Sequence, residues 1–209
     1  MTPENLIALR EAIEARHISA ADMADQLDAA PAEIESEDHS SDAIAEALFL
    51  RVFTAYESDV EKIFLHYVTG GASLQGARAV SYLSITDEPA ARKLTKGALK
   101  FLSWAKPDEI KRTAEIYLED GWPIAAMMSS ASHYLADCER VRNRIAHNSI
   151  EAMQQFNTAQ RNLLATERLF TITPGQFLRI RNPRLRKTHI AHYFDTLHQT
   201  LEAMLDPPQ

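Results

Sequence analysis

The segment Cys138-Glu-Arg-Val-Arg-Asn-Arg-Ile-Ala-His-Asn148 gathers three arginines, two asparagines and a histidine at the end of an otherwise apolar stretch. An imidazole exchanges protons near neutral pH, so His147 is a candidate general acid and base. A guanidinium keeps its charge and presents a planar fork of donors, so Arg142 suits the oxygens of a phosphate. These two groups are what RNA cleavage by its own 2′-hydroxyl needs. That reaction calls for a proton acceptor, a proton donor and positive charge on the phosphoryl oxygens, and it requires no metal. One well-placed acid or base contributes about 10²–10⁴ in rate. The plainer reading is a solvated helix end whose cations complement the negative C-terminal dipole.

An arginine followed at short range by a histidine is a loose pattern, and Arg140 to His147, Arg184 to His189 and Arg186 to His192 fit it as well. The filling separates Arg142-Asn-Arg-Ile-Ala-His147 from these: it reads R-N-x-x-A-H. At about 100° per residue, Asn143 and His147 fall one turn apart on one helix face. Ala146 is small enough for a neighbouring backbone to approach, and Ile145 is expected towards the core. Arg142, however, lies about 140° around a straight helix from His147. Either the helix ends between them, or the arginine stem reaches round, or a second subunit completes the site.

The elements that would position this segment are helical. The first thirty residues read as a short helical pair, with Leu6, Leu9 and Ile13 on one helix and a second opening at Ser19 with Met23 and Leu27. Pro31 and the acidic run 33–41 read as a linker, so the expected division is 1–40, a helical N-terminal extension and linker, and 41–209, a helical bundle. The strongest helix spans about 42–68, with Asp42 as its cap and Ile44, Leu48, Val52, Tyr56, Val60, Ile63 and Tyr67 in one stripe. Phe49, Phe53 and Phe64 widen that stripe, and Gly70-Gly71 ends it. Further helices are expected from Pro89 to Pro107 (Leu94, Ala98, Phe101, Leu102, Trp104), over 108–118, over 123–147, over 151–166 (Met153, Phe156, Ala159, Leu163) and over 187–205. Alternation around Pro174-Gly175 predicts a small hairpin or ordered loop within 169–180. The fold class is all-α, a helical bundle.

Composition narrows the function classes. The 209 residues carry a formal net charge of −7, which argues against a protein that grips long nucleic acid by its backbone but leaves room for a local cationic pocket. One cysteine excludes an internal disulfide and a cysteine zinc site and points to a reducing compartment. No apolar run is long enough to span a membrane and the N-terminus lacks a signal-peptide pattern, so the expected location is the cytoplasm.

With R-N-x-x-A-H at the end of a bundle helix, and a long first helix containing Tyr56-Glu-Ser-Asp-Val-Glu61, the chain resembles the HEPN superfamily, most closely the RiboL-PSP-HEPN-like proteins. The resemblance covers roughly 42–205. Family members often have glycine after the histidine; here Asn148 stands there, a residue that also tolerates a left-handed backbone. The resemblance implies a metal-independent endoribonuclease without a cofactor, acting as a homodimer in which two copies of the motif share a cleft. It further implies a toxin or phage-defence effector held in check by an antitoxin or regulatory partner. Carried over, Arg142 and His147 would be catalytic and Asn143 would orient the histidine. A non-catalytic HEPN-like scaffold module in a protein complex is the alternative from another class.

Other residues carry weaker signals. Glu57 borders the apolar stripe and either pairs with an arginine of the 140–144 cluster, supporting the site beside Arg144, or marks a surface edge. Arg179, Arg181, Arg184, Arg186 and Lys187 form a cationic run that reads as an RNA-backbone clamp or as a solvated loop. His189 and His192 lack a nearby acid, so they read as core or surface histidines and no metal site is expected. Asp22, Asp25 and Asp28 read as a solvated helix face.

Overall fold

The computed structural model describes residues 3–29, 40–85, 87–98, 103–164 and 172–208. Among these the chain forms α1 (Pro3–Ala29), α2 (Ser40–Val68), α3 (Glu88–Ala98), α4 (Pro107–Tyr117), a 3-10 turn at Glu119–Gly121, α5 (Ile124–Ala146), α6 (Ile150–Leu164), α7 (Pro174–Arg179), the strands β1 (Arg181–Asn182) and β2 (Lys187–Thr188), and α8 (His189–Leu205). The expected all-α helical bundle with a small hairpin is what the sequence builds. No helix among the described residues is long and apolar enough to cross a membrane.

Local rules account for several of the boundaries. Gly70 takes φ +84°, and the amides of Gly70 and Gly71 bond back to the carbonyls of Tyr67 and His66 at 3.0 and 2.9 Å. That pair of bonds satisfies carbonyls left open by the end of α2. The Asp87 carboxylate accepts the Ala90 amide at 2.9 Å and caps α3. Pro107 opens α4, where its missing N–H costs nothing.

The first region departs from expectation: α1 is one 27-residue helix, not a helical pair. The buried positions Leu6, Leu9, Ile13, Ala20, Ala24 and Leu27 leave a gap that His17 fills at helical spacing. Its imidazole lies 3.0 Å from the Asp195 carboxylate of α8. A polar residue on the inward face imitated a break in the apolar pattern. Of the predicted linker, 31–39 lies outside the described residues, as do Phe101 and Leu102, while Ser40 and Ser41 belong to α2.

Four apolar residues placed on the expected helical stripes are exposed: Met23 (39%), Ile44 (55%), Leu94 (47%) and Met153 (44%). Ile145 is only half-buried. Asp42 sits two residues inside α2, in its first turn.

The 169–180 region is also corrected. Residues 165–171 are outside the description, but 174–179 is the helix α7, and the hairpin lies further on at 181–188. Thr173 accepts the Gln176 amide at 3.1 Å while the Gln176 side chain accepts the Thr173 amide at 3.0 Å. This reciprocal cap, with Pro174 at the first helical position, starts a helix too short to show periodicity.

The chain divides into two compact units. The first contains Met1–Glu14, Ala55–Leu135 and His198–Gln209. Its aromatic core sets Phe64 against Trp104 and Tyr117 at centroid distances of 5.1 and 5.9 Å, and the Tyr67 hydroxyl donates to the Met204 carbonyl at 2.6 Å. The second contains Ala15–Thr54 and Ala136–Leu197. There Phe49 meets Phe53, Tyr193 and Phe194, and Phe177 bridges Phe156 to His189. The Arg142–His147 segment belongs to this second unit.

Candidate active site at the end of α5

α5 is anchored inside the second unit by Asp137 and Cys138, both fully buried, and by Val141. A buried carboxylate needs donors. Asp137 has them in Arg140 Nη1 at 2.6 Å and in the Asn162 amide of α6 at 3.0 and 3.2 Å. Burial, with the Asp137 charge beside it, raises the Cys138 thiol well above its usual range, so this cysteine packs as an apolar side chain. Arg140 is thereby committed to holding the helix. The next turn carries the functional candidates.

Arg142 is half-buried and donates from Nη1 to the Asn143 side-chain oxygen at 3.3 Å. The Asn143 amide nitrogen in turn donates to Glu139 Oε1, one turn back, at 3.1 Å. Glu139, Asn143 and Arg142 therefore form a polar relay along one edge of the helix. The expectation that Asn143 orients the histidine is not met in this arrangement. Its side-chain amide is turned to Arg142 and Glu139, and it reaches His147 only through the backbone, the His147 amide donating to the Asn143 carbonyl at 2.9 Å. α5 ends at Ala146, immediately before His147.

Of the three geometric alternatives, the helix does end between Arg142 and His147. His147 is exposed, and its ring makes no hydrogen bond or ion pair among the described residues. Arg144 braces the segment that carries it, donating to Asn148 Oδ1 at 2.7 Å and to the His147 carbonyl at 3.5 Å. A cation over the last carbonyls of α5 is also favoured by the helix dipole. Immediately beyond, Ile150 is 73% exposed, and Met153 follows three residues on in α6.

The remaining candidates are distributed unevenly. Glu57 lies half-buried on α2 within the first unit. In the cationic run, Arg179 is ion-paired with Asp42 at 3.1 Å, Arg181 with Asp28, and Lys187 with Asp195. Asp28 is thus not part of a merely solvated face. Burial would raise the Asp195 carboxyl, but the bonds from Lys187 and His17 outweigh it and hold the carboxyl below its ordinary range. Arg184 and Arg186 are exposed, with no ion pair among the described residues. They sit on the turn of the hairpin, where Asn182 Oδ1 accepts the Arg184 and Leu185 amides at 2.9 and 3.3 Å and Arg186 takes φ +58°.

Sequence reasoning assigned no role to Glu139, the outer member of the relay. Its signal was present: it stands four residues before Asn143, the spacing that brings side chains together on a helix. The chain matches no known family model, no curated protein and no solved structure.

Proposed function

We propose that the chain is an RNA endonuclease that works as a homodimer, with His147 moving protons and Arg142 neutralising the phosphoryl oxygens. In the reaction the 2′-oxygen bonds to the adjacent phosphorus as the bond to the 5′-oxygen breaks. The 2′-hydroxyl gives up its proton to a base, and the departing 5′-oxygen receives one. The products are a 2′,3′-cyclic phosphate and a 5′-hydroxyl, with atoms and charge balanced.

One observation carries the reading: the motif ends in a solvent-facing imidazole just past the helix terminus, while the guanidinium one turn earlier is braced by its own relay. An exposed imidazole is reachable by a strand, and a braced guanidinium loses little rotamer freedom on meeting a phosphate. Asn143 enters as a positioning residue for Arg142. Arg184 and Arg186 are the members of the cationic run that remain open to a backbone phosphate, and the exposed Ile150 beside the motif suits a contact with a second copy. A toxin or defence role under the control of a partner protein is what the resemblance of the R-N-x-x-A-H segment to the HEPN superfamily would imply.

The test is cleavage of RNA by purified protein in the presence of a chelator, with the ends analysed for cyclic phosphate. His147→Ala should abolish cleavage and leave the fold intact, because the side chain is exposed. Cleavage by that variant at the wild-type rate would refute the assignment.

The second reading is a non-catalytic module that binds protein partners. It is favoured by the commitment of Arg179, Arg181 and Lys187 to carboxylates of the same chain. Saturable binding of a protein partner with no cyclic-phosphate ends in the same assay would select it.

A further inference from the structure

α8 carries His198 and Glu202 four residues apart, which places both on one face of the helix. Glu14 of α1 faces them: its Oε2 lies 3.2 Å from His198 Nε2. One ligand atom from each of Glu14, His198 and Glu202 falls within 4.8 Å of the other two. We propose that these three residues bind a divalent transition-metal ion of the zinc type, which clips α1 to α8.

The donor set selects the ion. One imidazole nitrogen with two carboxylate oxygens suits zinc and its neighbours, whereas calcium and magnesium prefer oxygen throughout. A tetrahedral zinc ion with bonds of about 2.0–2.2 Å sets its ligands about 3.3 Å apart. The Glu14–His198 separation of 3.2 Å is close to that value, and the Glu202 ligand atom lies within 4.8 Å of both.

The surroundings of Glu202 point the same way. Its Oε2 accepts Arg10 Nε at 2.8 Å, while its Oε1 is buried and has no hydrogen-bond partner. A buried carboxylate oxygen without a donor is costly, and a cation removes that cost. Arg10 would hold the carboxylate in place from outside the coordination sphere, as hydrogen-bonding partners of metal ligands commonly do. The side chains of His198 and Glu202 are 15% and 20% exposed and that of Glu14 is 52% exposed, so an ion can enter from the Glu14 side. None of this depends on the RNA-cleavage reading.

The experiment is calorimetric titration of the metal-stripped full-length chain with zinc chloride, paired with hydrogen exchange across α1. The expected result is one saturable site of micromolar affinity or tighter, with slower exchange in α1 when zinc is bound. Glu14→Gln and His198→Ala should each weaken binding by about tenfold or more. Lys111→Gln, on α4 and outside the cluster, should retain the site. Glu14 is exposed enough that its variant tests binding without threatening the fold. Binding only at millimolar zinc, or binding indifferent to both ligand variants, would overturn the proposal.

Discussion

His189 shows how a single buried side chain sets a property of the whole fold. Its Nδ1 lies 2.9 Å from the Phe177 carbonyl, its ring packs against Phe177 at 4.6 Å, and its Nε2 is buried without a partner. The carbonyl fixes the tautomer, since only an Nδ1–H can donate to it. Burial lowers the imidazole to about 4, and the Phe177 carbonyl only partly offsets that effect. The unfolded chain, with His189 near the ordinary value, therefore binds more protons than the native one between about pH 6.5 and 4. Stability falls as the pH drops through that window and levels off below it. The loss from this group is on the order of 3 kcal/mol. Denaturant titrations at pH 7 and pH 4.5 would measure it, and His189→Asn, which can still donate to the carbonyl, should flatten the difference. An equal pH response in wild type and variant would remove His189 as the cause.

The element that best joins sequence chemistry to packing is α7. Its N-terminus sits on the first turns of α2: the Gly175 amide donates to Glu46 Oε1 at 2.8 Å, and Arg179 at the other end reaches Asp42. A carboxylate at a helix N-terminus is favoured by the dipole as well as by the hydrogen bond. The approach is close enough to require glycine, because a Cβ at position 175 would lie 2.5 Å from the Asp42 carbonyl oxygen. Gly175→Ala should cost more than about 2 kcal/mol, since backbone rather than a flexible side chain must move. Thr173→Ala removes only a cap and should cost about 1 kcal/mol. Chemical denaturation of the two variants ranks them, and the opposite order would mean that the helix is not seated as described. The alternation around Pro174-Gly175 misled because a helix of six residues is too short to distinguish periods of 2 and 3.6. The cap residues, being local, were the better evidence.

At the scale of the molecule, α1, α2, α5 and α8 each contribute residues to both compact units. The proposed dimer makes a prediction that a single chain acting alone would not. If a guanidinium of one protomer works with the imidazole of its partner, mixing inactive Arg142→Ala and His147→Ala chains should restore cleavage. Recovery should approach about a quarter of the wild-type rate, because half of the dimers are mixed and each retains one of two pairings. Mixed chains that exchange subunits but remain inactive would place both groups of one site on the same protomer.

The sequence by itself determined the helices of 42–68, 108–118, 123–147 and 187–205 to within a few residues, because periodicity and the glycines and prolines that interrupt it act over a turn or two. It also determined that His147 stands at a helix end. Only the tertiary structure decided the partners: Arg179 with Asp42, Lys187 with Asp195, and His198 with Glu14. A charged side chain looks the same in a sequence whether it faces water or a carboxylate far along the chain. Which of the two it meets depends on how the helices are brought together, and no local pattern encodes that.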